Sequence, residues 1–182
     1  MKKNIVITGG LGYIGTELCK IYSGFSWNHK ITVIDNRFVS ERVSQLRNWN
    51  VDFVHGDILD KNLIYKYCHD ADVVHHLAGI TNVPRVKSES NIENDKKIKS
   101  VAEEGTQNIL DVISNKCKII MPSSHVVFEG MKNVKNDILE NEETCPVLSY
   151  GVSKNFNEKQ LKNSGKNYII LRLGSVYGYS TD

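Results

Sequence analysis

Apolar residues along this chain come in short runs, separated by stretches in which they recur every three or four positions. Asn4–Thr8 is an apolar run ending in glycines, and Ile31–Ile34, Asp52–His55, Asp72–Leu77, Lys118–Met121 and Tyr168–Leu173 are further short runs. Such runs predict six buried strands. Between them, residues 12–23 place Ile14, Leu18 and Ile21 near helical spacing, and 41–47, 62–68 and 150–162 also suit helices. Over 98–113 the residues Ile98, Val101, Ala102, Ile109, Leu110 and Ile113 fall on one helical face. Residues 81–97 are polar and predict no element, and 129–148, rich in Asn, Glu and Lys, predicts a loop. Alternating strands and helices imply right-handed crossovers and an α/β fold, a doubly wound parallel sheet covered on both faces. Ligands of such sheets bind beyond the carboxyl ends of the strands, which are 8–15, 35–37, 57–58, 77–84, 121–128 and 173–178.

Composition narrows the class. The 182 residues suit one domain with a real core. With 40% hydrophobic residues and a mean hydropathy of -0.33, the chain is neither disordered nor, lacking an apolar run near ~20 residues, membrane-spanning. The 23 Lys and Arg against 21 Asp and Glu give a net charge of +2 without a basic stripe, and the aromatics are too scattered to stack bases, so nucleic acid is not an expected partner. The Lys96–Lys99 cluster and the 129–143 run read as solvated faces. Cys19, Cys68, Cys117 and Cys145 are too far apart for a CxxC motif and read as small, reduced, buried or half-buried residues. The first residues are too weakly apolar for a signal peptide, which points to the cytoplasm. His75 and His76 must face opposite sides of the sheet, and with no further ligands at metal spacing they read as packing residues.

Two motifs carry candidate chemistry. Gly9, Gly12 and Gly15 form GxxGxxG between the first strand and the first helix. Glycines there let the backbone approach a pyrophosphate, and the helix N-terminus offers it unpaired amides and partial positive charge. Asp35 closes the second strand, where a carboxylate accepts hydrogen bonds from adenosine ribose hydroxyls and repels a 2′-phosphate, favouring NAD over NADP. Arg37 qualifies that preference, since it can meet a phosphate. Tyr150 and Lys154 stand one helical turn apart. A phenol of pKa ~10 is a poor base at neutral pH, but a neighbouring ammonium and an oxidised nicotinamide stabilise its phenolate. Ser123-Ser124 follows the fifth strand, where a hydroxyl can orient a reacting alcohol or carbonyl, and His125 beside it is a minor candidate for substrate contact.

TGGLGYIG, Asp35-Asn36, Gly56-Asp57-Ile58, His76-Leu77-Ala78-Gly79, PSSHVVFE, YGVSK and LRLGSVYG fall in one order along the chain. In that order and spacing the sequence resembles the extended short-chain dehydrogenase/reductases, an NAD-dependent epimerase/dehydratase family with a Rossmann-like fold. Within it, nucleotide-sugar epimerases of the UDP-glucose 4-epimerase type look most similar. The resemblance implies that Gly9, Gly12, Tyr13, Ile14 and Gly15 hold the pyrophosphate of NAD, and Asp35 and Asn36 the adenosine ribose. It puts Asp57 and Ile58 beside the adenine and Leu77, Ala78 and Gly79 along the middle of the cofactor. Tyr150 is then the base, Lys154 its partner and ribose ligand, and Ser124 the substrate-orienting hydroxyl.

The implied reaction is epimerisation of a nucleotide sugar through a transient ketone. A reductase or dehydrogenase of the same superfamily, or a non-catalytic dinucleotide-binding module, are the competing readings; Tyr150, Lys154 and Ser124 together count against the module. Three departures stand out. Ala102 takes the place of the Asn usual in the N-V-x-G-T segment, Ser175 that of the Asn before V-Y-G, and His125-Val126 that of the Asp-Glu pair of the 4,6-dehydratases, which argues against water elimination. The family further implies a homodimer through helices 98–113 and 150–163, and a C-terminal substrate domain largely missing after Asp182.

Overall fold

The computed structural model describes residues 2–25, 29–81, 86–133 and 135–178. The strands are β1 (Lys3–Thr8), β2 (His29–Asp35), β3 (Asp52–His55), β4 (Val73–His76), β5 (Lys118–Ser124) and β6 (Asn167–Leu173). They form one sheet in the order β3-β2-β1-β4-β5-β6, every neighbouring pair parallel. The helices are α1 (Tyr13–Ser23), α2 (Ser40–Asn48), α3 (Lys61–Cys68), α4 (Ile92–Val112) and α5 (Ser149–Asn163). The doubly wound α/β reading therefore holds, and so does the six-strand count among the described residues. The order reverses between β1 and β4, the switch point at which such sheets open a crevice.

Strand alternation divides the core into two layers. Val6, Ile34, Val74, Ile119 and Met121 face a layer completed by Ile64, Ile109, Leu110 and Leu161 of α3, α4 and α5. Ile5, Ile7, Ile31 and Val33 face the other, with Leu11, Cys19, Val43 and Leu46. The two histidines obey the same alternation. Tyr22 of α1 and His75 share a hydrogen bond of 2.8 Å on one face, while His76 lies between Thr8 and Thr106 of α4, 2.9 Å from each hydroxyl, on the other. Cys19, Cys68 and Cys117 are buried; Cys145 is exposed, because it lies in the 129–148 loop rather than under a helix.

Two boundaries depart from the hydrophobic pattern. α4 starts six residues before its first periodic apolar position, Ile98. Asn91 caps it by accepting from the amides of Glu93 and Asn94, and Ile92 and Glu93 are exposed, so the start of the helix carries no buried apolar stripe. β5 continues three residues past Met121, through Pro122 and the two serines, paired to β6 up to Ser124 and Leu173. Ser124 is thus the last residue of a strand and not a loop residue beyond it. No helix among the described residues is long and apolar enough to cross a membrane.

Candidate active site

The glycine loop leaves β1 at the switch point. Gly9 has φ +70°, and a Cβ there would lie 2.6 Å from the Ala78 amide nitrogen and 2.8 Å from the Leu77 carbonyl carbon, so the loop lies directly against the end of β4. At Gly15 a Cβ would collide with the backbone of Gly9 and Gly10, which is how the first turn of α1 folds back on the loop. Gly12 is the N-cap of α1 and carries no side chain to satisfy the leading amides, and the first turn holds no acidic residue. An anion meets unopposed amides and the positive end of the helix here. Ile14 is part-exposed on that turn, and Tyr13 lies beneath the segment after β6, its hydroxyl 2.6 Å from where a Cβ of Gly178 would stand.

Asp35 ends β2 beside this loop and is 6% exposed. Its Oδ2 accepts from the Leu11 amide and its Oδ1 from the Arg37 amide, both at 3.0 Å. The Arg37 guanidinium stands 3.6 Å away, largely in solvent. A carboxylate accepts about four hydrogen bonds, so positions remain for a diol. Asn36 donates to Asp57 at 3.0 Å, and Asp57 also accepts from the Leu59 amide at 2.9 Å. Ile58 is in the core, its carbonyl accepting from Asn108 of α4 at 3.0 Å and its side chain packed against Gly105 of the same helix. Leu77 and Ala78 are half-buried; Gly79 is exposed and has open space where a Cβ would be. Apart from the buried Ile58 side chain, the residues expected to hold a dinucleotide therefore lie past the carboxyl ends of β1 to β4, with a glycine-rich turn to take a pyrophosphate and a carboxylate to take a ribose. They fit the group.

Ser124, Tyr150 and Lys154 lie on β5 and α5, on the other side of the switch point. Three consecutive residues of β5 divide their roles. The Pro122 carbonyl accepts from Lys154 Nζ at 3.0 Å, Ser123 donates to Glu158 at 2.6 Å, and Ser124 caps the 3-10 turn His125–Phe128 by accepting from the Val126 amide at 3.4 Å. Pleat alternation separates the serines, so only Ser124 keeps a hydroxyl toward the strand ends. His125 is exposed, its Nδ1 3.3 Å from the Leu173 carbonyl. Tyr150 stands in the first turn of α5, with Lys154 Nζ 5.7 Å from its ring centroid. Burial pushes the Lys154 ammonium down to about 8 and the Tyr150 phenol up from its ordinary value. Lys154 alone therefore does not make the phenol a base; its ammonium is turned to Pro122, and burial dominates.

Some supporting residues carry no signal in the hydrophobic pattern. Arg42 is buried in α2 and donates to the Leu11 carbonyl, holding the glycine loop from below. Glu158 is 1% exposed and accepts from Arg172 Nε at 2.9 Å and Nη2 at 2.7 Å. The one sequence clue is spacing: Glu158 continues the i, i+4 series from Tyr150 and Lys154.

A sequence profile of the NAD dependent epimerase/dehydratase family matches residues 5–182. UDP-glucose 4-epimerase of Mycoplasma genitalium is 30% identical over 188 residues, covering 97% of this chain and 54% of that enzyme. UDP-N-acetyl-alpha-D-glucosaminuronate decarboxylase of Bacillus cytotoxicus is 32% identical over 130 residues, covering 70% of this chain and 38% of the other. The crystal structure of UDP-glucose 4-epimerase from Brucella ovis in complex with NAD is similar at a TM-score of 0.73 and 28% identity, over 93% of this chain and 51% of that one. The chain spans about half the length of these relatives or less. A profile match that runs through every strand from β1 to β6 makes the chain a member of the NAD dependent epimerase/dehydratase family.

Proposed function

We propose that this chain supplies the NAD site and the acid–base residues of a nucleotide-sugar epimerase. The observation that supports the reading is that Lys154, 5.7 Å from the Tyr150 ring, donates to Pro122 on the strand that ends at Ser124, across the switch point from the glycine cradle and Asp35. Asp35 takes the adenosine ribose hydroxyls, the α1 amides take the pyrophosphate, and Lys154 turns from the Pro122 carbonyl to the second ribose. NAD when bound supplies the acceptor that takes hydride from the carbinol carbon and later returns it. Ser124 orients the reacting sugar hydroxyl. Tyr150 removes its proton as the ketone forms and gives it back as the alcohol is restored on the other face. An ammonium at about 8 is still largely charged at neutral pH, so Lys154 stabilises the phenolate once a second positive charge offsets burial.

Asp35, whose carboxylate repels a 2′-phosphate, supports NAD over NADP, and the family's name supports the same cofactor. We place the sugar-specific contacts outside these 182 residues; β6 is at the sheet edge with Tyr168, Ile169 and Leu171 part-exposed, a face suited to further chain. Pairing of two copies through α4 and α5 is part of the same proposal, supported by exposed Val152 and Phe156 on α5.

The test incubates the chain and Tyr150→Phe with UDP-, GDP- and dTDP-sugars and measures bound NAD in parallel. The expected result is that both proteins hold NAD, and that any epimerised product formed by the parent is absent with the variant. Turnover by Tyr150→Phe would remove the base assignment, and failure of the parent to hold NAD would remove the whole reading. The decarboxylase relative favours a second reading, in which the same oxidation precedes loss of carbon dioxide; release of carbon dioxide from a UDP-uronic acid would select it.

A further inference from the structure

Helix α5 begins without a cap of its own. Leu148 occupies the N-cap position and offers no side-chain acceptor. The first turn of a helix leaves amides without partners, and an unsupported turn frays. Tyr150 stands in that turn, so its place relative to Lys154 depends on the turn holding.

An acceptor from another segment instead holds the two residues just before that turn. Glu129 closes the 3-10 turn that Ser124 opens. Its Oε1 accepts from the amides of Val147 at 2.6 Å and Leu148 at 2.5 Å, the two that lead into α5. The same oxygen is 3.0 Å from where a Cβ of Gly151 would stand, and the Val126 carbonyl oxygen is equally close. The turn after Ser124 and the first turn of α5 are therefore pressed together at the residue next to Tyr150. Main-chain bonds fasten the same junction: the Cys145 amide donates to Val127 at 2.7 Å, and the Gly130 amide to Cys145 at 2.8 Å. A carboxylate at a helix N-terminus is also favoured by the helix dipole. One side chain thus bridges the turn that holds Ser124 and the turn that holds Tyr150.

We propose that Glu129 is a positioning residue that fixes Ser124 and Tyr150 relative to each other. The proposal rests on the reading of Tyr150 given above. Because the contacts of Glu129 are to main-chain amides, it acts through Tyr150 and not on substrate.

The test uses the 182-residue chain with saturating NAD. Tyr150 ionisation is read as the tyrosinate absorbance difference between each protein and its Tyr150→Phe counterpart, and amide exchange is followed over residues 147–153. Glu129→Ala is expected to speed that exchange about tenfold. It is also expected to raise the Tyr150 titration by about one pH unit, because a frayed turn carries the phenol away from Lys154. Glu129→Gln keeps an oxygen acceptor and is expected to match the parent in both. NAD affinity, set by the β1–α1 cradle, is expected to stay unchanged in both. The proposal is overturned if Glu129→Ala behaves as the parent, or if Glu129→Gln fares no better than Glu129→Ala. If the parent and Tyr150→Phe titrate alike, the reading of Tyr150 fails and the proposal with it. If those two differ while Glu129→Ala matches the parent, the proposal alone fails.

Discussion

Gly9 and Gly79 are both glycines at the strand ends, yet they stand in opposite situations. Gly9 holds a left-handed backbone with β4 packed against it, whereas Gly79 has open space around its Cα. Gly9→Ala combines a strained φ with a backbone collision, each worth about 1–3 kcal/mol. It is expected to lower the melting temperature by several degrees, and Gly79→Ala to leave it unchanged; equal melting of the two in a thermal scan would contradict the packing described. The motif GxxGxxG marks Gly9 in the sequence, but nothing in the sequence says that the atoms it must avoid belong to Leu77 and Ala78. Ser123 and Ser124 make the same point. Both belong to one motif, and only the pleat of β5 sends Ser123 to Glu158 and leaves Ser124 to cap the turn that follows.

α5 is the element on which the proposed chemistry depends, and the sheet together with the turn after β5 fixes it at three heights. Glu129 meets its start, the Pro122 carbonyl meets Lys154, and Ser123 with Arg172 meets Glu158. Removing Arg172 leaves the buried Glu158 carboxylate with only the Ser123 hydroxyl at 2.6 Å and the half-exposed Lys162 ammonium at 3.4 Å among its described partners. Arg172→Met is expected to destabilise the chain by about 3–5 kcal/mol, the loss typical when one partner of a buried pair is deleted. Denaturant unfolding measures it, and a change within the error of the method would mean that the pair is not fixing α5. Burial works to raise the Glu158 pKa, but the hydrogen bonds from Arg172 and Ser123 and the charges of Arg172 and Lys162 outweigh it, so the net shift is downward. The stability this pair adds is therefore present above the ordinary carboxylate range and is lost as pH falls through the lower folded value. The period of apolar residues revealed α4 from Ile98 onward, because that stretch packs into the core, whereas α5 buries mainly polar residues. It missed the first six residues of α4, where polar contacts and an Asn cap replace a buried stripe.

At the scale of the whole molecule, the sheet carries a neutral histidine on each face. Burial pushes His75 down to about 4, and burial with the nearby Lys154 charge pushes His76 down to about 3. The unfolded chain takes up both protons below about pH 6.5, where the folded chain refuses them. Stability should therefore fall as pH drops from 7 toward 4, by up to about 1.4 kcal/mol per pH unit for each histidine. Denaturation midpoints at pH 7 and 5 check this; equal midpoints would mean that neither histidine stays neutral in the fold. His76→Asn should flatten the dependence if it folds. The sequence by itself determined the alternation of strand and helix, the parallel doubly wound class, the glycine cradle, Asp35 and the Tyr150–Lys154 spacing. These are properties of neighbours along the chain, set by periodicity, chain direction and conformational preference. Only the tertiary structure decided that Ser123 bonds Glu158, that Arg42 holds the glycine loop, that Glu158 and Arg172 pair, and that Glu129 supports the start of the helix carrying Tyr150. Each of those joins residues distant in sequence, and no local pattern encodes a contact whose geometry exists only once the sheet has brought its strands side by side.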